Sequence, residues 1–162
     1  MTTFVGIDYS TRKVALVGLE SGLEPVVLSY QAPKKVTGID ATKDILMVFE
    51  GWCLNTMVLD ARVFIESPIM GRMLNAQTAV GMGIAAGAIM QASTMYGAAS
   101  VDFVAPSFWK KKITGNGGLD KVGVSEWLAA SEPGLSNYCK NDDEVDAMCM
   151  ALLSRQTAEL GL

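Results

Sequence analysis

The sequence predicts an α/β layered domain in which a five-stranded mixed sheet is flanked by helices. The N-terminal part holds three β-favouring runs separated by short turns, as in an antiparallel meander. The remainder alternates strand-like and helix-like segments, which suits a layered α/β architecture. A chain of 162 residues that is 50% hydrophobic can bury one core and is not disordered. No internal repeat or low-complexity segment interrupts it, so residues 1–162 read as a single domain.

Each element has a local reason. A strand over 3–8 rests on Phe4-Val5-Gly6-Ile7, an apolar run leading into a turn-like Asp8-Tyr9-Ser10-Thr11. Strands over 13–20 and 25–31 follow, with turns around Thr11-Arg12 and Ser21-Gly22, and then a helix over 40–57. Arg62-Val63-Phe64-Ile65 is β-favouring, and Glu66 closes this strand, 62–66, before Ser67-Pro68, where proline turns the chain away from helix. The next helix, 72–96, begins the uncharged stretch from Met73 to Val101. Length alone would let it span a membrane. Glycine and alanine dominate it, however, and Gln77, Gln91, Ser93 and Thr94 interrupt it, so we expect a helix lying close on the sheet and against a second subunit. Its methionines, Met73, Met82, Met90 and Met95, read as core filler. A strand over 100–105 and helices over 107–113, 120–131 and 142–159 complete the domain.

Four carboxylates stand where an apolar chain would not ordinarily carry charge. Asp8 and Glu66 sit at strand ends; Asp143 and Asp146 are helix neighbours roughly 5–6 Å apart, on a face that also carries Met150 and Leu153 and so points inward. Capping accounts for part of this. Asn141 can cap the last helix with Glu144 three residues on, and acids in a first turn complement the macrodipole. That explains Asp142, Asp143 and Glu144 but not Asp146, a second-turn aspartate beside the apolar stripe. Asp8 alone could form an Asx-turn, and Glu66 alone could be a surface charge. Together they are costly: carboxylates at ~4 Å repel by roughly 4 kcal/mol per pair at an effective dielectric of 20. They call for a cation.

The chain has no histidine, which excludes histidine-ligated zinc and Ser-His or Cys-His catalysis. All-oxygen ligation points to magnesium, with manganese able to substitute. Two such ions about 3.5–4 Å apart can activate a water and stabilise the leaving oxygen of a phosphodiester.

These residues carry a family likeness. Phe4-Val5-Gly6-Ile7-Asp8-Tyr9-Ser10-Thr11-Arg12 resembles the opening strand of the RuvC-type Holliday-junction resolvases. Val63-Phe64-Ile65-Glu66 with its following Gly/Ala-rich helix is similar to their second motif, and Asp143-Glu144-Val145-Asp146-Ala147 to their terminal Asp-x-x-Asp-Ala. Between them, Pro106 to Lys121 resembles the family's proline, basic helix, glycine turn and lysine. The likeness runs in order along nearly the whole chain. It implies an RNase H-like fold, a homodimer, and magnesium-dependent nicking of four-way DNA junctions, with Asp8, Glu66, Asp143 and Asp146 as catalytic ligands of two ions. Asp142 with Asp146 is an alternative register; the spacing of three favours Asp143. Bacterial members tend to carry an aromatic residue where this chain has Ile69, and Met70 and Met73 are the candidate substitutes.

A net charge of −4 is unusual for a DNA-binding protein, whose affinity draws on phosphate neutralisation. Basic residues nevertheless cluster by the motifs: Arg12 and Lys13 beside Asp8, Lys34 and Lys35 after the third strand, Arg72 after Glu66, and Lys110, Lys111, Lys112 and Lys121 around the glycine-containing linker 114–118. We read that linker as a mobile DNA-facing loop, although a basic helix face can equally be only solvated. Cys53, Cys139 and Cys149 form no CxxC and, with no signal peptide evident, read as buried thiols of a cytoplasmic protein. Two rivals are a sugar-kinase or actin-like ATPase, disfavoured because the chain supplies about one lobe of two, and a non-catalytic branched-DNA-binding module. A broader flap- or fork-cutting nuclease is a variant of the main reading.

Overall fold

The computed structural model describes residues 2–36, 38–56, 58–68 and 76–161. Its strands are β1 (Phe4–Tyr9), β2 (Lys13–Leu19), β3 (Val26–Gln31), β4 (Arg62–Glu66) and β5 (Ser100–Val104). Its helices are α1 (Ile39–Asn55), α2 (Ala76–Met95), α3 (Pro106–Thr114), α4 (Lys121–Ser131), α5 (Pro133–Ser136) and α6 (Asp142–Glu159). The strands form one mixed sheet in the order β3-β2-β1-β4-β5. β1 to β3 are an antiparallel meander, while β4 lies parallel to β1 and β5 parallel to β4.

Alternation along the strands feeds two cores. Val5, Ile7 and Tyr9 of β1, with Val14, Leu16, Val63 and Ile65, pack against Ile45, Phe49 and Trp52 of α1 and Ala85, Ala86 and Ile89 of α2. On the other face Ala15, Val17 and Leu19 meet α6, with Trp109 and Ile113 of α3 and Val124 and Leu128 of α4 outside it. α6 is therefore a middle layer. Every residue from Glu144 to Ser154 is buried, so the helix has no solvent face along that stretch, where one inward face was expected. Gly6 makes this approach possible: a Cβ there would collide with the Ala147 carbonyl and the Ala151 amide. Farther along, Ser154 Oγ donates to Arg62 O at 3.0 Å, tying α6 to β4.

Several expectations need correction. The small residues of α2 do not all serve contact with the sheet: Ala85, Ala86, Ala92 and Ser93 are buried, whereas Gly83 and Gly87 face open space. The linker 114–118 is organised by its own hydrogen bonds, with Gly115 left-handed at φ 80°, Thr114 Oγ1 donating to Lys110 O and Gly118 N donating to Asn116 Oδ1. The single-turn α5 was not foreseen; Pro133 at its start favours the turn, and Leu135 packs on the α6 side of the core. The expected start of α2 at 72–75, Met57, and the positions Ile69, Met70, Arg72 and Met73 lie outside the described residues. Among the described residues no helix is long and apolar enough to cross a membrane.

Gly6→Ala should lower stability by about 1–3 kcal/mol, the ordinary cost of overpacking a tight contact. Chemical denaturation would register this as a lower midpoint with an unchanged slope. An unchanged midpoint would show that α6 can lift from β1 freely.

Candidate active site

The strand register explains how the first two carboxylates meet. Ile7 pairs with Ile65 in the parallel β1–β4 ladder, so the next residues, Asp8 and Glu66, stand side by side near the strands' C-terminal ends. Both point toward the face that α6 covers, where Asp143 and Asp146 project from its first two turns. All four line one cavity of about 350 Å³, together with Tyr9, Ser10, Lys13 and Lys121. Asp143 lines it, whereas Asp142 is exposed and does not.

The cavity concentrates negative charge away from water. Burial, then the charges of Glu66, Asp146 and Asp143, push the Asp8 carboxyl up to about 8. Burial and Glu66 push Asp146, only 7% exposed, up to about 6. Glu66 is also raised by burial, against the opposing hydrogen bond from Trp109. Asp143 differs. Burial would raise it, but Lys121 and Lys13 outweigh burial and hold it below the usual carboxylate range. Each of its oxygens takes one lysine at 3.2 Å: Lys13 Nζ on Oδ2 and Lys121 Nζ on Oδ1.

Three neighbours escaped the sequence reading. Trp109 is fully buried and its Nε1 donates to Glu66 Oε2 at 2.8 Å, fixing that carboxylate while α3 packs on α6. Glu144, expected only as a capping partner, is 4% exposed; Asn141 Oδ1 accepts from its amide, while its carboxylate accepts from Ser29 Oγ and from the Lys140 amide, both at 2.5 Å. It thereby anchors the start of α6 to β3. Tyr9 packs its ring in the core, and its buried hydroxyl has no partner among the described residues; burial, then Glu66 and Asp8, raise it to about 12. A tryptophan one position before the lysine run and an acid inside an apolar helix were the available signals for the first two.

The basic residues divide. Lys13 and Lys121 reach the cavity. Lys110 is half-buried, donates to Leu119 O at 2.9 Å, and its charge acts on Glu66 and Asp146. Lys111 and Lys112 are exposed on the outer side of α3, with Lys112 Nζ 5.7 Å from the Phe108 ring. Arg12 does not reach the cavity: its guanidinium donates to the carbonyls of Val36, Ala32 and Pro33, holding the loop that carries Lys34 and Lys35. Arg72 lies outside the described residues.

The five-stranded mixed sheet with its flanking helices is the architecture of an RNase H-like fold. Comparison with solved structures bears on the fold. The chain is similar to a Thermus thermophilus RuvC structure with a TM-score of 0.73 at 19% identity, over 98% of this chain and 96% of that one. It is similar to T. thermophilus RuvC in complex with a Holliday junction substrate, with a TM-score of 0.76 at 18% identity, over 99% and 97%. A yeast mitochondrial Holliday junction resolvase gives 0.57 at 13% identity, over 97% and 79%. The chain has the RuvC fold. No family model and no curated protein matches its sequence.

The raised Asp8 carboxyl has a signed consequence. A group whose folded pKa lies above its unfolded value contributes stability below the unfolded value, near 4, and loses it as pH climbs through the folded one, near 8. Without divalent cations Asp8→Asn should therefore melt above the wild type at pH 8, with a gap that shrinks toward pH 4. At ~2–4 °C per kcal/mol for a chain of this size, a gap of several degrees is expected. A gap that does not change with pH would refute the charge crowding.

Proposed function

We propose that this chain is a divalent-metal-dependent endonuclease that nicks DNA at four-way junctions, and that it works as a homodimer. The observation that carries the proposal is the convergence of Asp8, Glu66, Asp143 and Asp146, from three separate elements, on one cavity. The fold adds support, since one solved example of it is a RuvC bound to a Holliday junction substrate.

The donor set fits a hard divalent cation. It is oxygen-only, it faces one cavity, and its mutual repulsion is relieved by protons or by a cation. Among the described residues no three of the acids are grouped tightly enough to chelate one ion, and Asp143 carries a lysine on each oxygen. Asp8, Glu66, Asp143 and Asp146 would hold two magnesium or manganese ions between them. When bound, these ions supply Lewis acidity that polarises the attacking water and offsets charge on the leaving oxygen.

The protein's own part is positioning. Trp109 keeps the Glu66 carboxylate in one orientation, and Glu144 and Ser29 keep the start of α6 in place. Lys121, exposed at the cavity edge, is suited to stabilise charge building on the phosphate. The cavity lining contains no cysteine or histidine, and the chemistry needs no protein nucleophile.

DNA would approach over the cavity edge and the outer side of α3, where Lys111 and Lys112 give an acidic chain a local basic face. α2 would accommodate a second copy: Val80 is 62% and Ile84 45% exposed, and Gly83 and Gly87, three and seven residues after Val80, share their face, so another helix could come close. Three free thiols are in keeping with a cytoplasmic setting.

Nicking of an immobile synthetic four-way junction, with magnesium or chelator and with linear-duplex and flap controls, tests the proposal. Symmetric, metal-dependent nicks confined to the junction are expected. Cutting of flaps as well would make the enzyme a general branch nuclease, and binding without cutting would leave a non-catalytic module. Asp146→Asn should abolish nicking and keep or strengthen junction binding, because it removes repulsion toward phosphate. Replacing Lys111 and Lys112 together by alanine should flatten the dependence of log affinity on log salt by up to about 2, since each lost phosphate contact removes about 0.9. An unaltered slope would take this face of α3 out of the DNA path.

A further inference from the structure

The Lys13–Asp143 pair divides two clefts. On one side lies the carboxylate cavity; on the other is a smaller cleft of about 190 Å³ lined by Val14, Ser29, Tyr30, Gln31 and Asn141, and Lys13 and Asp143 belong to both. Lys13 begins β2 and half of its side chain is exposed; its Nζ has Asp143 Oδ2, at 3.2 Å, as its ion-pair partner among the described residues. Lys121 holds the other oxygen of the same carboxylate. Lys121 also influences Asp8, Glu66 and Asp146, so its charge serves the whole carboxylate set. Lys13 stands at the boundary.

We propose that Lys13 is a latch on Asp143 that competes with the divalent cation in the absence of DNA and is drawn off by a backbone phosphate of the bound strand. The inference rests on the metal-dependent reading above. A carboxylate whose two oxygens each hold a lysine ammonium offers a metal ion less charge and fewer free lone pairs, so loss of one lysine favours ligation. An ion pair this exposed is worth only ~0.2–1 kcal/mol, which is the right size for a latch: it weakens cation binding a few-fold without preventing it. Once Asp143 is withdrawn, the ammonium is left uncompensated at the mouth of the cavity, where an approaching phosphate is the available anion. Metal and DNA then favour each other's binding, and by linkage the coupling is the same in either direction.

The test measures Mn²⁺ affinity by electron paramagnetic resonance of the free ion, for the full chain alone and with a four-way junction carrying phosphorothioates at its centre, which keep the charge and slow cleavage. Lys13→Met should bind Mn²⁺ about two- to fivefold more tightly than wild type without DNA. The enhancement of Mn²⁺ binding by DNA should fall by the same factor, because the latch contributes to both quantities. Lys43→Met, on α1 and paired with Asp40 away from the cavity, loses the same charge with no contact to Asp143 and should alter neither value. Unchanged DNA-free affinity in Lys13→Met, or an equal change in Lys43→Met, would overturn the latch while leaving the nuclease reading intact. Absence of saturable Mn²⁺ binding by the wild type, matched by Asp146→Asn, would overturn both.

Discussion

The contact between α6 and β1 at Gly6 is the constraint on which the rest of the molecule depends. Without a side chain at that position, the helix backbone comes down onto the strand, and the Ala147 carbonyl sits where a Cβ would be. Asp146 is the residue before Ala147, and Asp8 lies two residues beyond Gly6 on the same face of β1. One missing methyl group thus sets the separation of carboxylates from opposite ends of the sequence. The β1–β4 register then adds Glu66 without further expense, because parallel pairing brings the two strand ends level.

Such crowding must be compensated, and several devices contribute. Protonation offsets part of it, the Asp8 carboxyl being raised to about 8 and that of Asp146 to about 6. Trp109 supplies a neutral donor to Glu66, and Lys13 and Lys121 supply full charges to Asp143. The neutral donor is buried and the charged ones are exposed. That division follows from desolvation: an indole N–H can be taken out of water at modest cost, whereas an ammonium cannot. The buried and the exposed donors of the site therefore differ in chemistry as well as in location.

Much of this was legible in the sequence because it was local. Apolar, β-favouring runs marked β1, β2 and β4, and the Asp-x-x-Asp spacing put Asp143 and Asp146 on one face of α6. The remainder depended on tertiary placement. Arg12 lies beside Asp8 in sequence, yet the β2–β3 meander brings the carbonyls of residues 32–36 within its reach, and it turns to them. Glu144 looked like a cap because its role needs Ser29, a residue 115 positions away. The glycines of α2 could not be divided between inward and outward faces by composition alone, and the full burial of α6 follows from α3 and α4 covering it, which no periodicity within α6 announces.

The layered position of α6 also bears on when the site can exist. Synthesis proceeds from the N-terminus, and all five strands precede α6 in the chain. While the polypeptide is still being made, one face of the sheet lacks its covering helix, and Asp8 and Glu66 have no acidic partners opposite them. The segment that closes the core also carries Asp143 and Asp146. Assembly of the cavity is thereby bound to completion of the fold, so a nascent or C-terminally truncated chain presents at most half of a centre.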